Sequence, residues 1–111
     1  LAASIGRAEL PVVRKPRVAL LSTGDELVMP GAVAPEAMRP GAIYNSNRFF
    51  LKALLRRLGC DVSDLGILPD SLPQTENAFR NACENHDLIF CQASCIYQGL
   101  GHVHLLDVMQ I

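Results

Sequence analysis

The stretch Val18-Ala19-Leu20-Leu21-Ser22-Thr23-Gly24-Asp25-Glu26-Leu27 decides the fold. Its first four residues form a short continuous apolar run of the kind shown by a strand buried on both faces, although periodicity alone also permits a helix. Gly24 resolves this in favour of a strand that ends in a turn. Two carboxylates and a glycine then sit at the carboxyl end of a buried strand, where open α/β sheets collect their ligands and where a glycine lets backbone amides approach an anion closely. Asp25 and Glu26 suit Mg²⁺, which takes one or two hard carboxylate oxygens plus waters and a ligand phosphate. The competing reading is a helix first turn enriched in acids.

Working outward, Pro11 and Pro16 bracket a basic link of Val12, Val13, Arg14 and Lys15, which reads as an extended connector. Residues 1–16 are therefore read as a linker from a preceding element, and residues 17–111 as the domain proper. The chain starts at Leu1 without an initiator Met, as an excised fragment would. From Met29 to Gly41, Pro30, Gly31, Pro35, Pro40 and Gly41 leave no room for a regular element. Asn47 is placed to cap a helix in which Phe50, Leu51, Leu54, Leu55 and Leu58 recur at three- and four-residue steps, and Gly59 closes it. Arg48, Lys52, Arg56 and Arg57 occupy the other face and read as solvated.

Residues 62–68 read as a second strand stopped by Pro69, Asp70 and Ser71. A second amphipathic helix follows, through Leu72, Thr75, Ala78, Phe79, Ala82 and Cys83, and residues 88–91 form a third strand. Alternation of strands with helices predicts a doubly wound, three-layer α/β domain with a mostly parallel sheet, the carboxyl ends of its strands sharing one edge. That edge gathers residues 23–26, Asp70 and whatever follows Cys91.

With 111 residues, half of them apolar, there is material for one small core. Ten basic residues against eleven acidic ones leave no electrostatic footprint for nucleic acid. No apolar run is long enough for a membrane helix, so neither a membrane nor a nucleic acid is expected as partner and a cytoplasmic location is the default. Cys60, Cys83, Cys91 and Cys95 contain no C-x-x-C pair and read as buried free thiols. Cys91 and Cys95 lack the basic or helix-terminal setting of a nucleophile. His102 and His104 would share a face of an extended tail, but no third ligand lies at a recognisable spacing. No G-x-G-x-x-G follows the first strand, which sets aside a generic dinucleotide fold.

Ser46 and Asn47 offer polar groups just before a helix, either as caps or as partners of an anion at its N-terminus. Asp70 by itself reads as a turn residue. Together the segment from Val18 to Leu27, the Pro/Gly loop, Gly41-Ala-Ile-Tyr-Asn-Ser-Asn47, Leu58-Gly-Cys60 and Leu65-Gly-Ile-Leu-Pro-Asp70 resemble the molybdopterin molybdenumtransferase family, the bacterial MoeA proteins and the E domain of gephyrin. The resemblance runs from about Leu1 to Cys91.

It implies a molybdopterin-binding domain, incomplete at its C-terminus. The parent enzyme would insert molybdate into adenylylated molybdopterin with Mg²⁺, release AMP, and be a homodimer. On this resemblance Asp25 and Asp70 are the catalytic positions. Asp25 and Glu26 are the metal positions, and Ser22, Thr23, Gly24, Glu26, Ser46, Asn47, Ser94 and Gly99 bind ligand. Asn45 stands where the family has Asp, which weakens a metal role there. After Cys91 the family's Ser-Gly-Gly-x-Ser-x-Gly becomes Gln92-Ala-Ser-Cys-Ile-Tyr-Gln-Gly99, with Ser94 and Cys95 near the paired glycines, and the acidic residue expected near His102 is missing. A non-catalytic pterin-binding or assembly module is the alternative.

Overall fold

The computed structural model describes the backbone of residues 1–95 and 103–110 and the side chains of residues 1–92. Strand β1 (Arg17–Thr23) lies in the middle of the sheet, with β4 (Asp61–Leu68) on one side and β5 (Leu88–Cys95) on the other, both parallel to it. The expected parallel trio and its shared carboxyl edge are therefore present. Helix α1 (Asn47–Arg57) carries the chain from β1 to β4, and α2 (Leu72–Asn85) carries it back past β1 to β5. Because the two crossovers run in opposite directions along the sheet, equal handedness puts their helices on opposite faces. The core confirms it: Val18 and Leu20 pack with Leu51 and Leu55 of α1, while Ala19 and Leu21 pack with Ala82 of α2, Ile89 and Cys91. Alternate residues of one strand thus serve two separate apolar layers, which is why residues 18–21 are uninterruptedly apolar.

Two short strands, β2 (Leu27–Val28) and β3 (Ile43–Tyr44), pair parallel to each other just beyond the end of β1. The Pro/Gly stretch between them is irregular, except that Pro35–Ala37 makes one 3-10 turn where none was expected. The Tyr44 hydroxyl fastens this loop by donating to the Val33 carbonyl at 2.7 Å. A second 3-10 turn, Ala3–Ile5, interrupts the exposed N-terminal segment. Strand β6 (Val103–Gln110) pairs antiparallel with β5 and makes the sheet four-stranded, an element absent from the expectation.

Two ion-pair clusters fix the layers. At the amino edge, Asp87 accepts from Arg14 Nη1 and Nη2 at 2.6 and 2.7 Å and from the Arg17 amide at 2.8 Å, tying the connector to the start of β5. Hydrogen bonds from Arg14 and Arg17 hold the Asp87 carboxyl well below the ordinary carboxylate range. At the edge strand, Asp64 accepts from Arg48 Nε at 2.6 Å and from Lys52 Nζ at 3.4 Å, and its other oxygen takes the Gly66 amide at 3.1 Å. Burial pushes the Asp64 carboxyl up, but the bonds from Arg48 and Gly66 outweigh it and leave the group depressed. The Gly66 contact closes a bulge, where the β1 to β4 register steps from Leu20/Asp64 to Leu21/Gly66.

The Asp64 cluster corrects the expected helix faces. Arg48 and Lys52 are not simply solvated, because they draw one flank of α1 onto β4. Of the apolar stripe only Leu51 and Leu55 are buried, whereas Phe50, Leu54 and Leu58 on the other flank stay exposed. Helix α2 buries Ala82 and half-buries Phe79, leaving Leu72 exposed. Cys83 is also exposed, so it is not the buried thiol expected; Cys60 is half-buried and Cys91 buried, and none of the three is in a disulfide. The cap of α1 differs as well: Asn47 is the first helical residue, and Ser46, at the N-cap, makes no side-chain cap bond because its own backbone is already helical (φ −76°, ψ −33°).

Candidate functional site

Strand order reverses at β1, since the chain moves first to β4 and then to β5, and the crevice outside the carboxyl ends of β1 and β5 is the topological switch point. The turn that follows β1 lies there. Thr23, half-buried, is its last strand residue, in register with Leu68 on one side and Ala93 on the other. Gly24 is buried with φ +141°, a backbone state that L side chains rarely adopt. Its amide donates to the Leu68 carbonyl at 3.3 Å and its carbonyl accepts from the Leu27 amide at 3.2 Å, so the turn is pinned at both ends.

The carboxylates occupy distinct settings. Asp25 is exposed and accepts the Asp70 amide on Oδ1 at 3.0 Å, which draws the β4 exit turn against the β1 exit turn. Two expected site residues, 45 positions apart in sequence, are therefore brought together. Glu26 is half-buried and folds back over Gly24: a Cβ on that glycine would meet its carboxylate oxygens at 2.6 and 2.9 Å. Glu26 Oε1 has no hydrogen-bond partner. Among the described residues none of Asp25, Glu26 and Asp70 forms an ion pair, so the edge is acidic and uncompensated.

Ser22 is buried on the α1 face and its Oγ accepts from Asn45 Nδ2 at 2.9 Å. Asn45 is only 1% exposed, and its backbone amide donates to the Val28 carbonyl, which locks the β2/β3 pair onto the site. Gln92, 5% exposed, stands beside Ser22 in the β1 to β5 register. Ser46 and Asn47 are exposed at the start of α1, whose first turn opens at the same edge. Ser94 lies on β5 opposite His104, with its side chain outside the described residues, as is that of Cys95; Gly99 and His102 lie outside them altogether.

No group of three or more His, Cys, Asp or Glu capable of holding a metal occurs among the described residues. The donor set nevertheless fits an ion bound through one or two carboxylates and a ligand phosphate, since Asp25 is exposed and Glu26 offers an unpartnered oxygen. Reasoning from sequence missed the buried roles of Asn45 and Gln92. The legible signal for Gln92 was an amide on an otherwise apolar strand, in phase with Leu88 and Phe90.

The fold and the site define a doubly wound α/β domain with an acidic glycine turn at its switch point. Residues 19–93 match the model of the probable molybdopterin binding domain, and the chain belongs to that family. It is 46% identical over 89 residues to the molybdopterin molybdenumtransferase of Haemophilus influenzae, covering 80% of this chain and 21% of that relative. To molybdopterin molybdenumtransferase 2 of Mycobacterium tuberculosis it is 42% identical over 74 residues, or 67% of this chain and 17% of that one. The molybdopterin biosynthesis MoeA protein of Pyrococcus horikoshii superposes with a TM-score of 0.70 at 28% identity, over 83% of this chain and 22% of that structure. The chain thus spans about a fifth of the length of the relatives it matches, which connect it with molybdenum cofactor biosynthesis. No helix among the described residues is long and apolar enough to cross a membrane.

Proposed function

We propose that this chain is the molybdopterin-binding part of a molybdopterin molybdenumtransferase, whose complete form inserts molybdate into adenylylated molybdopterin with Mg²⁺ and releases AMP. The observation that carries this reading is the turn of residues 22–26 at the switch point, with Asp70 docked on Asp25, in a member of the molybdopterin-binding family. Asp25 and Glu26 would hold Mg²⁺, which would supply electrostatic neutralisation of phosphate and molybdate oxygens. Gly24 gives the turn the backbone bend that places Asp25 and Glu26 at the edge, and the Asp70 amide orients the Asp25 carboxylate. Thr23, Ser46 and Asn47 would line the same edge as polar contacts for the ligand, while Ser22, buried beneath them, holds Asn45. A cytoplasmic homodimer is the form proposed for the full-length protein.

One observation favours a second reading, a module that binds or assembles without catalysis. Strand β5 continues as regular strand through Ser94 to Cys95, paired with β6, where the resemblance calls for a glycine loop that would admit a phosphate. Calorimetric titration with molybdopterin and its adenylylated form, with and without Mg²⁺, separates the two. Micromolar, Mg²⁺-dependent binding that Asp25→Ala abolishes supports the transferase site. Binding that ignores both Mg²⁺ and Asp25→Ala supports the module. Absence of binding by a folded chain refutes the transferase site and leaves a module that assembles without binding the pterin. Asp25 is exposed, so the variant is expected to fold.

A further inference from the structure

The described residues leave three buried side-chain oxygens without a hydrogen-bond partner: Glu26 Oε1, Asn45 Oδ1 and Gln92 Oε1. All three lie at the carboxyl edge of the sheet, and none lies in the two apolar layers beneath it. A buried polar atom without a partner is costly and is normally satisfied by ordered water or by a ligand group that displaces it. Glu26 belongs to the acidic turn already described. Asn45 and Gln92 form a separate pair, linked through Ser22, which bonds Asn45 directly and stands beside Gln92 on the adjacent strand. Register partners on parallel strands point to the same face, so both amides are on the α1 side. Both are neutral, and the spare atom of each is an acceptor.

Helix α1 supplies the complementary half. It is 11 residues long and starts two residues after Asn45, and its N-cap Ser46 makes no side-chain cap bond; the Phe49 amide is held by the Ser46 carbonyl at 3.2 Å, which leaves the Asn47 and Arg48 amides as donors. Acceptors next to uncapped donors match the edge of a 2-amino-4-oxopyrimidine, in which a ring N–H and an exocyclic amine donate and a carbonyl accepts. A phosphate, with acceptors only, has nothing to offer Asn45 Oδ1 or Gln92 Oε1.

We infer that Asn45 and Gln92, together with the amino end of α1, recognise the aminopyrimidinone edge of the pterin ring, apart from the acidic turn that handles phosphate and metal. This rests on the pterin-binding reading above. Ser22 is the positioning residue of the pair: its Oγ, by accepting Nδ2–H, turns Asn45 Oδ1 away to the ligand.

The test compares binding of 6-hydroxymethylpterin with that of its 2-oxo counterpart, 6-hydroxymethyllumazine, to the full chain, by calorimetry or equilibrium dialysis. The chain is expected to prefer the amino compound by about tenfold or more, as loss of a buried hydrogen bond implies. Gln92→Leu, which removes the acceptor at similar volume without orphaning a partner, is expected to erase that preference while leaving thermal unfolding unchanged or slightly raised. Gln92→Glu keeps the acceptor and should retain it. Equal binding of both rings, a preference that survives Gln92→Leu, or binding of molybdopterin with neither bare ring overturns the assignment and leaves the pterin-binding reading standing. Failure of a folded chain to bind molybdopterin as well overturns both.

Discussion

Gly24→Ala tests whether the turn after β1 is built as described. The substitution places a methyl where φ is +141°, a region whose occupation by a non-glycine residue costs roughly 1–3 kcal/mol. The backbone cannot relax freely, because the Gly24 amide is held by the Leu68 carbonyl and its carbonyl by the Leu27 amide. The new Cβ would also lie 2.6 and 2.9 Å from the Glu26 carboxylate oxygens, so that side chain must swing away. Since Glu26 is half-buried and flexible, this second effect adds only about 0.5–1 kcal/mol. The sum, about 1.5–4 kcal/mol, is a large share of the roughly 5–15 kcal/mol that holds such a domain together. Urea unfolding followed by circular dichroism would show it as a lowered midpoint with unchanged slope. Glu26→Ala in the Gly24→Ala background should recover the smaller, steric part and none of the backbone part. A Gly24→Ala protein within about 0.5 kcal/mol of the parent, or full rescue by Glu26→Ala, would refute the argument from backbone geometry.

Two further predictions concern the ion pairs. Asp64→Ala leaves the Arg48 guanidinium and the Gly66 amide without their acceptor at a site where the Asp64 and Arg48 side chains are only 10% and 17% exposed, so a loss of about 2 kcal/mol is expected, between exposed and fully buried pairs. Asp64→Asn keeps an acceptor for Gly66 and should lose less; equal losses in urea titrations of the two would place the effect outside the charge. Stability should also depend on acid. Asp87 and Asp64 both have folded-state values below the unfolded one, so the unfolded chain binds more protons in acid; their contribution is complete above about pH 5 and is lost progressively as pH falls through the unfolded value, about 4, towards the lower folded-state values. Asp87→Asn should flatten the thermal midpoint against pH between about 5 and 3, and an unchanged slope would show that the Arg14 and Arg17 contacts do not form in solution.

Local chemistry made much of this molecule legible. An apolar run ended by Gly24 specified a buried strand, Pro and Gly punctuated the loop that follows, Gly59 stopped α1, and alternation of strands and helices required parallel strands with a common carboxyl edge. The acidic turn was visible for the same reason, because it depends on residues contiguous in sequence. Tertiary structure decided whatever depends on residues far apart. Asp64 on the edge strand selects which flank of α1 is buried, since a buried carboxylate must be paired, and so Phe50 and Leu58 are left outside. Asn45 reaches Ser22 across 23 positions, and Gln92 reaches the same place only because β5 pairs with β1 rather than with β4. The sequence by itself therefore determined the two helices, the three parallel strands and the carboxyl edge those strands share. Only the packed sheet determined which polar side chains are desolvated at that edge, because desolvation and register are properties of neighbouring strands and layers.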